Sequence, residues 1–144
     1  MRKALTKDEE QQLLDAAQDV RERSYSPYSK FKVGAAVLTA DGQIFQGTNI
    51  ENASYGLTVC AERNALFAAV GAGKRKLRAL ALVTQKLPGA AFNSPCGACR
   101  QVMSEFLAPD APLLIAVLDG KKRTVYRKLL RDVMPFPFEK FSEK

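Results

Sequence analysis

The chain has 144 residues, 47% hydrophobic and 26% charged, with a net charge of +7. Such a chain buries a core without staples, and no apolar run nears the ~20 residues that span a bilayer. It contains no histidine, which excludes Ser-His-Asp triads, Cys-His dyads and imidazole metal sites.

Thr6 is an expected N-cap for a helix over 7–23, with Leu13, Leu14, Ala17 and Val20 on one face. The start, Met1 to Glu10, turns acidic where a secretory signal turns apolar. A soluble cytoplasmic protein is therefore expected. Residues 24–29 read as a loop. Val33 to Ala40 reads as a strand ending at Asp41-Gly42, a strong hairpin signal, and 43–48 as its return. Residues 49–59 are polar and irregular.

A helix is expected over 60–70, ended by Gly71 and Gly73. The continuous apolar run over 77–84 predicts a buried strand. After a loop, Ser94 as cap and Pro95 at the first helical position predict a helix to about Leu107. Residues 112–118 predict another strand, and 124–131 suit strand, helix or both in turn. A hairpin followed by alternating helix and strand implies an α/β sandwich, a mixed sheet with helices on its faces.

The basic clusters, Lys74-Arg75-Lys76-Leu77-Arg78, Lys121-Lys122-Arg123 and Arg127-Lys128 with Arg131, invite a nucleic-acid reading. The first two lack the interleaved aromatics of a single-strand groove, so a solvated face is favoured.

The three cysteines cannot all pair within one chain. In a reducing cytosol they are inert or form a thiolate metal site. Cys96-Gly97-Ala98-Cys99 alone suits zinc or redox chemistry, but it sits at a predicted helix start, where two sulfurs share a face and exposed N–H groups favour thiolates. Cys60 begins the other predicted helix. Three sulfurs converging would leave one tetrahedral zinc position open, as catalytic sites do.

Glu62 is then the natural base for a water at that position. Its alternative role is to complement the helix dipole. Arg63 and Arg100 follow ligand residues, and either is a candidate donor to the sulfurs, drawing off negative charge.

These residues carry a resemblance. Cys60-Ala61-Glu62-Arg63 with Pro95-Cys96-Gly97-Ala98-Cys99-Arg100 is similar to the C-x-E … P-C-x-x-C pattern of zinc-dependent deaminases. Phe31-Lys32-Val33-Gly34-Ala35-Ala36 and Asn49-Ile50-Glu51-Asn52-Ala53-Ser54-Tyr55 resemble substrate-binding segments of cytidine deaminases of the small homotetrameric class, and the likeness runs over about residues 8–138. It implies a single domain over 1–144, a three-layer α/β/α sandwich with a mixed five-stranded sheet, and one Zn2+ per chain on Cys60, Cys96 and Cys99. Glu62 would shuttle protons in the deamination of cytidine and 2′-deoxycytidine, a reaction of pyrimidine salvage. Phe31 would stack near the base, Asn49 and Glu51 would bind ribose hydroxyls, and backbone at Ala61 and Pro95 would contact the base. Tyr55 and Phe138 would reach a neighbouring subunit's site in a homotetramer with composite sites. Met134 stands where the family's C-terminal motif has leucine. An antibiotic-nucleoside deaminase such as blasticidin S deaminase is the alternative enzyme, and should lack the Asn49/Glu51 pattern. A non-catalytic zinc protein binding nucleic acid is the rival from another class, and would have no need of Glu62.

Overall fold

Thr6, in extended conformation, accepts a hydrogen bond from the Glu9 backbone, while the Glu9 carboxylate accepts from Thr6 N–H. This reciprocal cap satisfies two otherwise orphaned donors and starts helix α1, Lys7–Arg21. The helix stops two residues short of the expected end, where Glu22 to Ser24 leave in a turn. The computed structural model describes residues 3–139.

The remaining elements are β1 (Val33–Thr39), β2 (Ile44–Thr48), a 3-10 turn (Tyr55–Leu57), α2 (Ala61–Gly71), β3 (Leu77–Gln85), α3 (Gly97–Phe106), β4 (Pro112–Asp119), β5 (Lys122–Leu129) and α4 (Leu130–Val133). They form one mixed five-stranded sheet of order β2-β1-β3-β4-β5. Only the β3–β4 pair is parallel, because α3 carries the chain back between them. The ambiguous segment before Arg131 is strand and helix in turn.

Side chains alternate across the sheet, as the period of two requires. Ala36, Leu38, Ala81 and Val83 pack under Leu13, Leu14 and Ala17 of α1. Ala35, Val37, Leu80 and Leu82 face the other way, against Ala65, Leu66 and Ala69 of α2 and Met103 of α3. One helix thus covers one face and α2 and α3 the other, the three-layer arrangement. Among the described residues no helix is long and apolar enough to cross a membrane.

The Asp41-Gly42 signal marks the hairpin, but the connection has three residues, Ala40 to Gly42, rather than two. Thr39 N–H donates to Gln43 O, and the Thr39 hydroxyl accepts from Gln43 N–H. Gly42 takes φ +87°, the left-handed position that a three-residue hairpin needs.

Gly47 fixes how closely α2 can approach the sheet. A Cβ there would lie 2.2 Å from Ala65 N and 2.6 Å from Ala61 O, and helix backbone cannot yield as a side-chain tip can. Gly47→Ala should therefore cost about 1–3 kcal/mol or more, as overpacking does. Denaturant unfolding checks this, and unchanged stability would contradict the close approach.

The basic clusters are partly neutralised. Arg78 pairs with Glu9, Lys74 with Asp41, Arg123 with Asp15, and Arg127 with Glu10.

Candidate metal centre and active site

Two helix N-termini meet on the α2/α3 face of the sheet. Cys60 is the N-cap of α2 and Cys96 the N-cap of α3, both in extended conformation. This corrects the expected helix start at Ser94 and Pro95: the Cys96 sulfur takes the capping bond from Cys99 N–H at 3.5 Å, and Ser94 is engaged elsewhere.

Cys60 and Cys96 sulfurs lie 3.7 Å apart, and those of Cys60, Cys96 and Cys99 all lie within 4.8 Å of one another. A tetrahedral zinc with Zn–S bonds of ~2.3 Å has ligand–ligand edges of ~3.8 Å. The trio therefore fits zinc, with a fourth position not filled by any of these sulfurs. Cys99 is buried, Cys60 half-buried and Cys96 exposed, so the cluster opens toward solvent on the Cys96 side. Hydrogen bonds from Cys99 and Arg63 pull the Cys60 thiol down to about 5. The hydrogen bond with Cys60, then desolvation, push the Cys99 thiol up.

Glu62 lies in the first turn of α2, only 5% exposed, with its carboxylate 3.6 Å from the Cys99 sulfur. Desolvation, and then the negative charge of Cys60, raise it to about 7. A carboxyl so placed can both take and return a proton near neutral pH.

Arg63 sits three residues beyond Cys60, on the same helical face, and donates to its sulfur at 3.6 Å. The thiol partners raise the Arg63 pKa further. Arg63→Ala should weaken zinc retention by about 10–100-fold, the usual effect of losing an outer partner of a ligand. Chelator competition measures this, and unchanged affinity would remove Arg63 from the metal site.

Arg100 departs from expectation. Its donors go to Pro95 O at 2.6 Å, Ser94 Oγ at 2.7 Å and Val133 O at 2.9 Å, not to a sulfur. Oxygen accepts hydrogen bonds better than sulfur, and two carbonyls and a hydroxyl are within its reach. It ties the loop before Cys96 to the end of α4.

The Asn49–Glu51 segment is held by two short bridges, one of which brings it beside Cys60. Ile50 pairs with Val59, the residue before Cys60, and with Tyr25 on the other side. Asn49 is buried, its amide oxygen accepting from Val33 N–H and the Ser24 hydroxyl, its amide nitrogen donating to Phe31 O. Asn49 thereby fixes the backbone of half-buried Phe31, work that its place in the sequence did not reveal. Glu51 Oε1 accepts from Tyr28 and Ser29 N–H, and hydrogen bonding with Ser29 lowers its pKa. Ala61 and Pro95 are buried at the two helix starts.

Tyr55 and Phe138 are 76% and 75% exposed. Tyr55 meets Tyr28 edge-on, with ring centroids 6.1 Å apart. The Phe138 backbone is held at both N–H and C=O by the Gln101 side chain. Gln101 and Ser24 are site-supporting residues that sequence reading missed. Each reaches its site partner across 25 or more residues of chain, so no local pattern marks it. The cavity beneath the C-terminal segment, about 510 Å3 and lined by Leu107, Leu130, Met134, Pro137 and Phe138, holds none of the three sulfurs.

The family model of the cytidine and deoxycytidylate deaminase zinc-binding region matches residues 7–114. The cytidine deaminase of Halalkalibacterium halodurans is 50% identical over 111 residues, 76% of this chain and 81% of that protein. That of Sporosarcina psychrophila is 47% identical over 121 residues, 83% and 87% of the two chains. The crystal structure of cytidine deaminase from Burkholderia pseudomallei is 43% identical with a TM-score of 0.81, covering 93% of this chain and 100% of that one. The stretch matched by the family model contains the whole sulfur trio and Glu62, and the chain belongs to the cytidine and deoxycytidylate deaminase family.

Proposed function

We propose that this chain, acting as one domain over 1–144, hydrolyses cytidine and 2′-deoxycytidine to uridine and 2′-deoxyuridine with release of ammonia, in cytoplasmic pyrimidine salvage. The observation that carries the reading is Glu62: a carboxyl buried beside three clustered sulfurs and raised to about 7. A purely structural metal site has no use for it.

Cys60, Cys96 and Cys99 would hold one zinc per chain, which would supply a Lewis acid able to make a water nucleophilic near neutral pH. Glu62 takes a proton from the attacking water and delivers it to N3 of the base as C4 becomes tetrahedral. It then takes the proton of the new C4 hydroxyl and passes it to the amine, so that the C4–N bond breaks, the C4 carbonyl forms and ammonia leaves. Arg63 offsets part of the thiolate charge through Cys60. Arg100 keeps the Ser94-Pro95 loop in place through its own hydrogen bonds, so that backbone at Pro95, with that at Ala61, borders the base.

Phe31 stacks near the base, its backbone set by Asn49. The backbone N–H groups of Tyr28 and Ser29 hold Glu51 through Oε1, and the carboxylate so held offers an acceptor to a sugar hydroxyl. With Asn49 it reads the 3′-hydroxyl that ribose and deoxyribose share, and its negative charge disfavours a 5′-phosphate nearby. Tyr55 and Phe138, largely exposed on one chain, complete sites of neighbours in a homotetramer. Exposed aromatics of this kind mark interfaces.

The test offers cytidine, 2′-deoxycytidine and cytidine 5′-monophosphate to the purified protein and follows formation of the uracil product. Turnover of both nucleosides and not of the nucleotide is expected. No conversion of cytidine would overturn the reading.

A further inference from the structure

The first turns of α3 carry two of the three candidate metal ligands, and the next two residues hold the C-terminal segment. Arg100 donates to Val133 O at 2.9 Å. Gln101 donates to Phe138 O at 2.8 Å and accepts from Phe138 N–H at 3.1 Å. The Gln101 amide thus pairs with the Phe138 backbone as a neighbouring strand would. Between these anchor points run Met134, Pro135, Phe136 and Pro137. Two prolines stiffen this stretch and supply no N–H of their own, so the Gln101 pair is what fixes the far end. Phe138 itself stays 75% exposed.

We propose that Gln101 is a positioning residue that holds Phe138 on the metal-ligand helix of its own chain, so that the ring is presented to the site of the adjacent subunit. This rests on the composite-site reading above. Two of the three metal ligands of one subunit and the anchor of an aromatic wall of the next site then lie on the same helix. A fixed ring needs no ordering when substrate binds, and preorganisation of this kind raises affinity by removing that cost. Because the ring contacts substrate and transition state alike, losing its anchor raises KM rather than lowering kcat.

The chain contains no tryptophan, so a Phe138→Trp protein reports on this position alone. Three measurements decide the matter: acrylamide quenching in the Phe138→Trp protein with and without Gln101→Ala, steady-state kinetics of Gln101→Ala and of Phe138→Ala, and zinc content of each. The expected result is a tryptophan more accessible to quencher once Gln101 is truncated, with KM raised on the order of tenfold, the factor for one or two net hydrogen bonds. kcat should stay within about threefold, with zinc still one per chain. Unchanged quenching, or unchanged KM while Phe138→Ala raises it, would overturn the proposal and leave the composite site standing. Unchanged KM in Phe138→Ala would overturn both. Loss of zinc in Gln101→Ala would assign the residue to the metal turn and also overturn the proposal.

Discussion

Glu62→Gln should fold, retain zinc and lose cytidine turnover by at least 10²–10⁴-fold, on the order of what general acid–base catalysis supplies. The substitution keeps shape and volume in a site that is 5% exposed, so packing is preserved while proton transfer is removed. The rival role, complementing the dipole of α2 from its first turn, is worth only about 0.3–1 kcal/mol, less than about a tenfold effect. The two roles therefore differ by orders of magnitude in the same assay. Zinc analysis beside the kinetics separates lost chemistry from lost metal, and a variant keeping a tenth of the parent turnover would remove Glu62 from its assigned role.

A Cys96→Ala, Cys99→Ala double variant should hold no zinc and show no turnover. Zinc also binds the folded chain in preference to the unfolded one. At about 100–1,000 times its dissociation constant, such a ligand contributes about 2.7–4 kcal/mol of stability. The parent should therefore melt at lower temperature after chelation, whereas the double variant should not respond to chelator or to added zinc. Cys96 is exposed and caps α3 through its sulfur, while Cys99 is buried with Met103 in the α2/α3 cluster. Part of the variant's stability loss is therefore packing, and the response to zinc is the cleaner reading. One zinc per chain retained in the double variant would contradict the ligand set.

Much of this architecture was legible from the sequence, because local rules and the tertiary fold agree. The apolar run of β3 reads as a strand buried on both faces, and it lies at the centre of the sheet between β1 and β4. β5 was ambiguous for a physical reason. Its sequence Lys122–Leu129 is an edge strand only half-covered, rich in Lys and Arg that suit a helix equally. The start of α3 was misplaced by two residues because Ser94 and Pro95 are strong capping residues by type, yet the Cys96 sulfur does the capping. The cysteine trio and Glu62 were readable because helix starts fix where their side chains point. Arg100 was not, since adjacency to Cys99 says nothing about which acceptors lie nearest its guanidinium. The Gln101–Phe138 pair spans 37 residues, and no periodicity encodes a contact of that range.

The most direct measurement of the central claim is cytidine conversion to uridine by a single preparation, taken as purified, after removal of metal by chelator, and after return of one equivalent of zinc. The account predicts conversion, then none, then conversion restored in proportion to zinc bound. Conversion that persists in the metal-free protein, or its absence in protein carrying one zinc per chain, would contradict it.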